Sequence, residues 1–103
     1  MAFFRLSECE SILHSVATKF NCVTPVHHNV EKNYYMIESK DQPRKICIWE
    51  EGGDMIRVKG IDCGNEPTSH SLVAFFDKRR GVEQLYDFMH KNVYHFFVVY
   101  VHK

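Results

Sequence analysis

The sequence predicts an α+β fold: one mostly antiparallel sheet of about five strands with two helices, a central three-strand meander and a C-terminal β-α-β unit. Three observations predict it. Apolar residues recur at helical spacing near the N-terminus, residues 34–59 alternate around a glycine pair, and residues 72–101 read β-rich, helical, β-rich. At 103 residues the chain is expected to form a single compact domain over 1–103 with one core.

Cys9, Ile12, Leu13, Val16, Ala17 and Phe20 follow the three-and-four spacing of an amphipathic helix. Ser7 and Glu10 fit a capping box at its start, and Asn21 can close it in a left-handed conformation. Glu8, Ser11, His14, Ser15, Thr18 and Lys19 form the face expected in solvent. Cys22–Val26 contains Pro25, which cannot donate to a ladder, so it reads as an edge strand or extended connector before the polar His27-His28-Asn29. Tyr34–Glu38 is a strand by composition, and residues 39–43 are a loop.

Lys45–Glu50 and Asp54–Lys59 form a hairpin around Glu51-Gly52-Gly53. Pairing Ile48 with Ile56 and Ile46 with Val58 makes one face purely aliphatic. The other face then carries Lys45, Cys47, Trp49, Met55, Arg57 and Lys59, because side chains alternate along a strand. A two-residue Gly-Gly loop would place Ile48 opposite Arg57 and mix the faces. Asp62–Ser69 is rich in turn formers. Leu72–Phe76 reads as a strand, although its length also permits a helix start. Asp77 is placed to cap a helix through Val82, Leu85, Tyr86 and Met89, with Gly81 delaying its regular part. Val93–His102, apolar on both faces, reads as a last strand, and strand-helix-strand over 72–101 permits a right-handed parallel crossover. On that strand Tyr94, Phe96, Val98 and Tyr100 form a row that is either core or an association surface.

Composition narrows the function. Thirteen basic and thirteen acidic residues give zero formal charge, so nucleic acid or acidic lipid would need a local patch. Low net charge also eases self-association, including a homo-oligomer. Acidic residues arrive early in the N-terminal sequence, before any apolar run of signal-peptide length, so neither a secretory signal nor a transit peptide is expected. The longest apolar run, Phe96–Val101, is too short for a membrane span. The expected location is therefore cytoplasmic, with Cys9, Cys22, Cys47 and Cys63 reduced.

No metal or other cofactor is expected. Zinc sites in small domains use closely spaced ligand pairs, whereas the nearest cysteines, Cys9 and Cys22, are thirteen positions apart. Cys22 with His27 and His28, and Cys63 with His70, match no such spacing. Cys63 beside Asp62 and Gly64 is the best nucleophile candidate, but nothing marks a base or an oxyanion hole. Gly52-Gly53 lacks the lysine and helix of a phosphate loop. Glu50, Glu51 and Asp54 at the hairpin tip read as solvated acids.

Two features point to contact. Trp49 shares its hairpin face with Lys45, Arg57 and Lys59, and tryptophan and arginine are enriched at binding hot spots. Lys78-Arg79-Arg80 is the single basic run, and at a helix start it opposes the macrodipole unless an anion offsets it. The alternative for the hairpin face is cover by a second helix, with the lysines reaching outward. The leading expectation is a non-enzymatic interaction protein that docks onto a protein partner, in the manner of an inhibitor, adaptor or immunity-type factor, phage-encoded ones included. The second is a nucleic-acid-binding module using Lys45, Trp49, Arg57, Lys59, Lys78, Arg79 and Arg80. A thiol- or metal-dependent enzyme built on Cys63 ranks last.

Overall fold

A computed structural model describes residues 5–21, 23–41, 43–52, 54–62, 72–80 and 82–97, with the backbone alone for Asp62 and Tyr94. The order of elements is α1 (Glu8–Lys19), β1 (His27–Asn29), β2 (Tyr34–Glu38), β3 (Arg44–Glu51), β4 (Met55–Asp62), β5 (Val73–Asp77) and α2 (Glu83–Phe97). The five strands form one sheet in chain order, every pair antiparallel. The expected α+β class, with its central meander, is the observed one.

Helix α1 buries Cys9, Ile12, Leu13 and Val16, the stripe its spacing predicts. Its ends differ from expectation. Ser7 is already helical in φ and ψ and makes no side-chain cap, because the chain enters through a turn in which the Glu8, Cys9 and Glu10 N–H groups bond the carbonyls of Arg5, Leu6 and Ser7. Three first-turn donors are thereby satisfied by backbone, among them the Glu10 N–H that a capping box would serve. At the other end the chain leaves through extended Phe20, whose N–H reaches Val16 O at 2.9 Å. Asn21 is not left-handed. Asn33, in the β1–β2 connection, is the described non-glycine residue with positive φ, at 56°.

The segment 23–26 is a connector tied to the sheet by one bridge, Val23 to Ser39, and by Thr24 N–H to Glu38 O at 2.8 Å. The edge strand itself falls on His27–Asn29, the segment that composition marks as polar connection. An edge strand with one covered face tolerates polar residues, so hydrophobicity is a poor guide there.

The hairpin faces separate as predicted, but the register is slid by two. Ile48 pairs with Val58, Ile46 with Gly60 and Trp49 with Arg57, and Glu51 opposite Met55 is the last pair before the loop. A slip of two keeps every side chain on its face, so the hydrophobic pattern is blind to it. Strand β4 also runs beyond Lys59 through Gly60, Ile61 and Asp62. Gly60 is needed where it is. A Cβ there would lie 2.8 Å from Leu72 Cβ and 2.8 Å from Phe96 Cζ.

Ile46, Ile48, Ile56 and Val58 join Tyr35 and Ile37 under both helices, in one cluster with Leu13, Val16, Leu85, Met89, Val93, Phe96 and Phe97. Both described helices therefore lie on the same side of the sheet. The C-terminal unit starts as expected with β5 followed by α2, but Val93–Phe97 continue the helix and do not open a strand. Their buried members extend the spacing set by Leu85 and Met89, so tertiary burial overrides β-prone composition. Phe96 of the expected strand row is thus core, and Val98 and Tyr100 lie outside the described residues. Arg44 closes the helix, donating from Nη1 to Phe96 O at 2.8 Å with its guanidinium over the Phe96 ring. Asp77 ends β5 and caps the following turn, not α2. Its Oδ1 accepts from the Arg79 N–H at 2.8 Å, and the helix begins six residues later.

Candidate interaction face of the sheet

With both helices on the aliphatic side, the opposite face of the sheet carries no described helix. Because strand neighbours sit directly across from one another, its side chains form rows. One row crosses all five strands: Asn29, Tyr34, Trp49, Arg57 and Phe75. The next row holds His27, Met36, Cys47, Lys59 and Val73, and a third holds Glu38, Lys45 and Ile61. Phe75 is 50% exposed and Val73 48%, although both sit within a regular strand. Large apolar side chains standing side by side in solvent mark a contact surface more strongly than isolated ones do.

The centre of the face is an aromatic-guanidinium cluster. The Arg57 guanidinium carbon lies 5.1 Å from the Trp49 ring centroid and 5.6 Å from that of Phe75. Glu51 holds both partners, accepting the Trp49 indole N–H at 2.9 Å and facing Arg57 Nη1 at 3.7 Å. Arg57 Nε is buried without a hydrogen-bond acceptor, so the ring faces supply what an acceptor would elsewhere. This arrangement fixes the Trp49 and Arg57 side chains before any partner arrives.

Beside the cluster, Lys32, Tyr34, Lys45, Cys47, Trp49 and Ile61 line an open depression of about 360 Å³. Its floor is largely apolar. Cys47 is a buried thiol on this face, outside the main core cluster.

Lys45, Trp49, Arg57 and Lys59 therefore share one face, as the sequence predicts. Cover by either described helix, the alternative for this face, is corrected, since both described helices occupy the other side. Lys78, Arg79 and Arg80 stand apart. They form the turn after β5 at the hairpin end of the sheet, whereas Lys45 belongs to the row farthest from it. Lys78 pairs with Glu50 at 2.8 Å, and Arg79 forks onto Asp77 with bonds of 2.9 and 2.7 Å. That answers the electrostatic problem of a basic run before a helix: the run precedes α2 and has its own carboxylates. The Arg79 hydrogen bonds hold the Asp77 carboxyl down at about 2. Tyr34, Phe75, Val73 and Lys32 were missed as site residues. Val73 and Phe75 alternate with Ala74 and Phe76, but a five-residue apolar run hides which parity faces solvent.

Among the described residues no group of three or more His, Cys, Asp and Glu is placed to hold a metal ion. Cys22, Cys63 and His70 lie outside the described residues. No described helix is long and apolar enough to cross a membrane. Fold and face together define a two-layer α+β protein with one sheet face bare of described helix. No protein family, curated protein or solved structure matches this chain.

Proposed function

We propose that this protein acts without covalent chemistry, by docking the open face of its sheet onto a protein partner. The row Trp49–Arg57–Phe75 carries the reading: two residues of hot-spot type, both held by Glu51, and an interface-prone phenylalanine, beside half-exposed Val73. Such a surface suits an inhibitor or adaptor, which needs affinity and no reacting group.

Charge pairing favours protein over nucleic acid. Of the six cations that a phosphate backbone would engage, three, Arg57, Lys78 and Arg79, already face Glu51, Glu50 and Asp77. A nucleic-acid ligand would have to displace those carboxylates, and the chain has no net positive charge to help. The test is affinity capture from a nuclease-treated extract with the wild-type protein and Phe75→Ser. Specific proteins retained by the first and lost by the second support docking through this face. Capture of nucleic acid, with affinity falling steeply in salt, would replace this reading with the nucleic-acid one.

A further inference from the structure

We infer that the depression beside Trp49 is the specificity pocket of this face, and that it takes an aromatic side chain of a partner segment flanked by carboxylates. The inference rests on the docking reading and gives the partner a chemistry. Three observations lead to it. The depression, at about 360 Å³, falls at the lower end of the range for ligand sites, which is room for one large side chain. Its interior is made by Tyr34 and Trp49, direct cross-strand neighbours, with Cys47 and Ile61. Its charged members are two lysines, Lys32 from the β1–β2 connection and Lys45 from β3.

Those lysines differ from Arg57, the cation at the centre of the face. Arg57 has Glu51, whereas neither Lys32 nor Lys45 forms an ion pair among the described residues, although Glu38 stands across from Lys45 in the sheet; Lys59, across from Cys47 and outside the lining, forms none either. An apolar pocket with unpaired positive charges in its lining selects an apolar group between anions. Carboxylates fit better than phosphates. Phosphate sites add arginine forks or converging backbone N–H groups, whereas β3 is paired on both edges and its N–H groups serve the sheet. Aromatic is preferred to aliphatic because the indole and phenol rings of the lining offer stacking faces.

Trp49 is the single tryptophan of the chain, so its fluorescence reports the pocket directly. The probe is a random copolymer of glutamate and tyrosine, titrated with excitation beyond tyrosine absorption. Glutamate–alanine and lysine–tyrosine copolymers and a thymidylate oligomer serve as comparisons. The expected result is a saturable shift of Trp49 emission with glutamate–tyrosine, weakened by about tenfold or more with glutamate–alanine, a difference of about 1.4 kcal/mol. The double variant Lys32→Glu/Lys45→Glu should weaken it by about tenfold or more, and Lys32→Gln/Lys45→Gln by less, both with unchanged far-ultraviolet circular dichroism. No saturable shift, equal binding of glutamate–alanine or lysine–tyrosine, tighter binding of thymidylate, or indifference to the charge reversal overturns the inference. Phe75 lies outside the depression and separates it from the docking reading. Protein capture lost in Phe75→Ser but intact in the lysine variants leaves the face and removes the pocket. Capture intact in both removes both.

Discussion

Trp49 and Arg57 face each other across β3 and β4 with the guanidinium carbon 5.1 Å from the indole centroid, and one carboxylate, Glu51, contacts both. The contact is a cross-strand pair as well as a cation–π pair, so it ties hairpin register to the geometry of the open face. A double-mutant cycle with Trp49→Ala and Arg57→Ala in urea unfolding should give a coupling of about 0.5–2 kcal/mol, the range from exposed to desolvated cation–π pairs. Arg57→Lys should recover little of it, because an ammonium lacks the plane that stacks on the rings. Additive single effects would mean that the two side chains are neighbours without being partners.

Phe75 separates binding from stability. Its ring is half exposed and its described aromatic-cation contact is with Arg57. Phe75→Ser should therefore cost only about 0.5–1 kcal/mol of stability, the worth of an exposed cation–π contact. Partner capture should fall by more than about fivefold, which corresponds to the 1 kcal/mol that marks an interface residue. Thermal unfolding and quantitative capture on the same preparations measure both. Undiminished capture would move the docking surface off β5.

What could be read from the chain follows the period of its side chains. Period two separated Ile46, Ile48, Ile56 and Val58 from Lys45, Trp49, Arg57 and Lys59, and that separation is the basis of the candidate face. The same period cannot detect a slip of two, so the Trp49–Arg57 pairing was hidden until the loop was seen to start at Gly52. Val93–Phe97 misled because β-branched and aromatic residues are also good core residues, and the helix needed them against Gly60 and Arg44. The basic run misled differently. Sequence shows the charges of Lys78 and Arg79 but not that Glu50, twenty-eight residues earlier, and Asp77 stand beside them.

Gly60 lies where the end of α2 packs on β4. Its N–H bonds Leu72 O at 2.6 Å, and a Cβ would strike both Leu72 Cβ and the ring of Phe96, which is 2% exposed. A buried ring and a backbone-proximal Cβ cannot swing aside as a long side chain would. Gly60→Ala should lose about 1–3 kcal/mol, the usual cost of overpacking a core. The measurement is the urea midpoint at constant m-value. An unchanged midpoint would show that α2 can shift outward at no cost.

Asp77 contributes stability at mildly acidic pH. Hydrogen bonds from the Arg79 side chain and backbone hold its carboxyl at about 2, against 3.8 ordinarily. A lowered folded value means that the contribution is complete above 3.8 and disappears as pH falls from there to about 2. Because the pair is at the surface, added salt should shrink it. A carbon-13 titration of the Asp77 carboxyl should show its midpoint near 2, moving back toward 3.8 in Arg79→Ala. A midpoint that ignores Arg79 would leave the fork without energetic weight.

Cys9 sets a limit at the alkaline end. It is fully buried in α1, and burial, followed by the charges of Glu8 and Glu50, pushes its thiol from 9.0 up to about 12. A raised folded value means that its contribution is complete below 9.0 and is lost as pH climbs through 9.0 toward 12, because the unfolded chain releases the proton first. Over that window Cys9 should lower stability by about 1.4 kcal/mol per pH unit. The comparison is with Cys9→Ala, which keeps every other ionisable group. Urea unfolding should show the two proteins diverging in slope above pH 9.0, the variant falling less steeply. The same burial predicts that an alkylating reagent labels Cys9 only on global unfolding, since the thiolate is the reacting species. Parallel slopes, or labelling of Cys9 in the folded protein, would show that α1 opens locally and lets water reach the thiol.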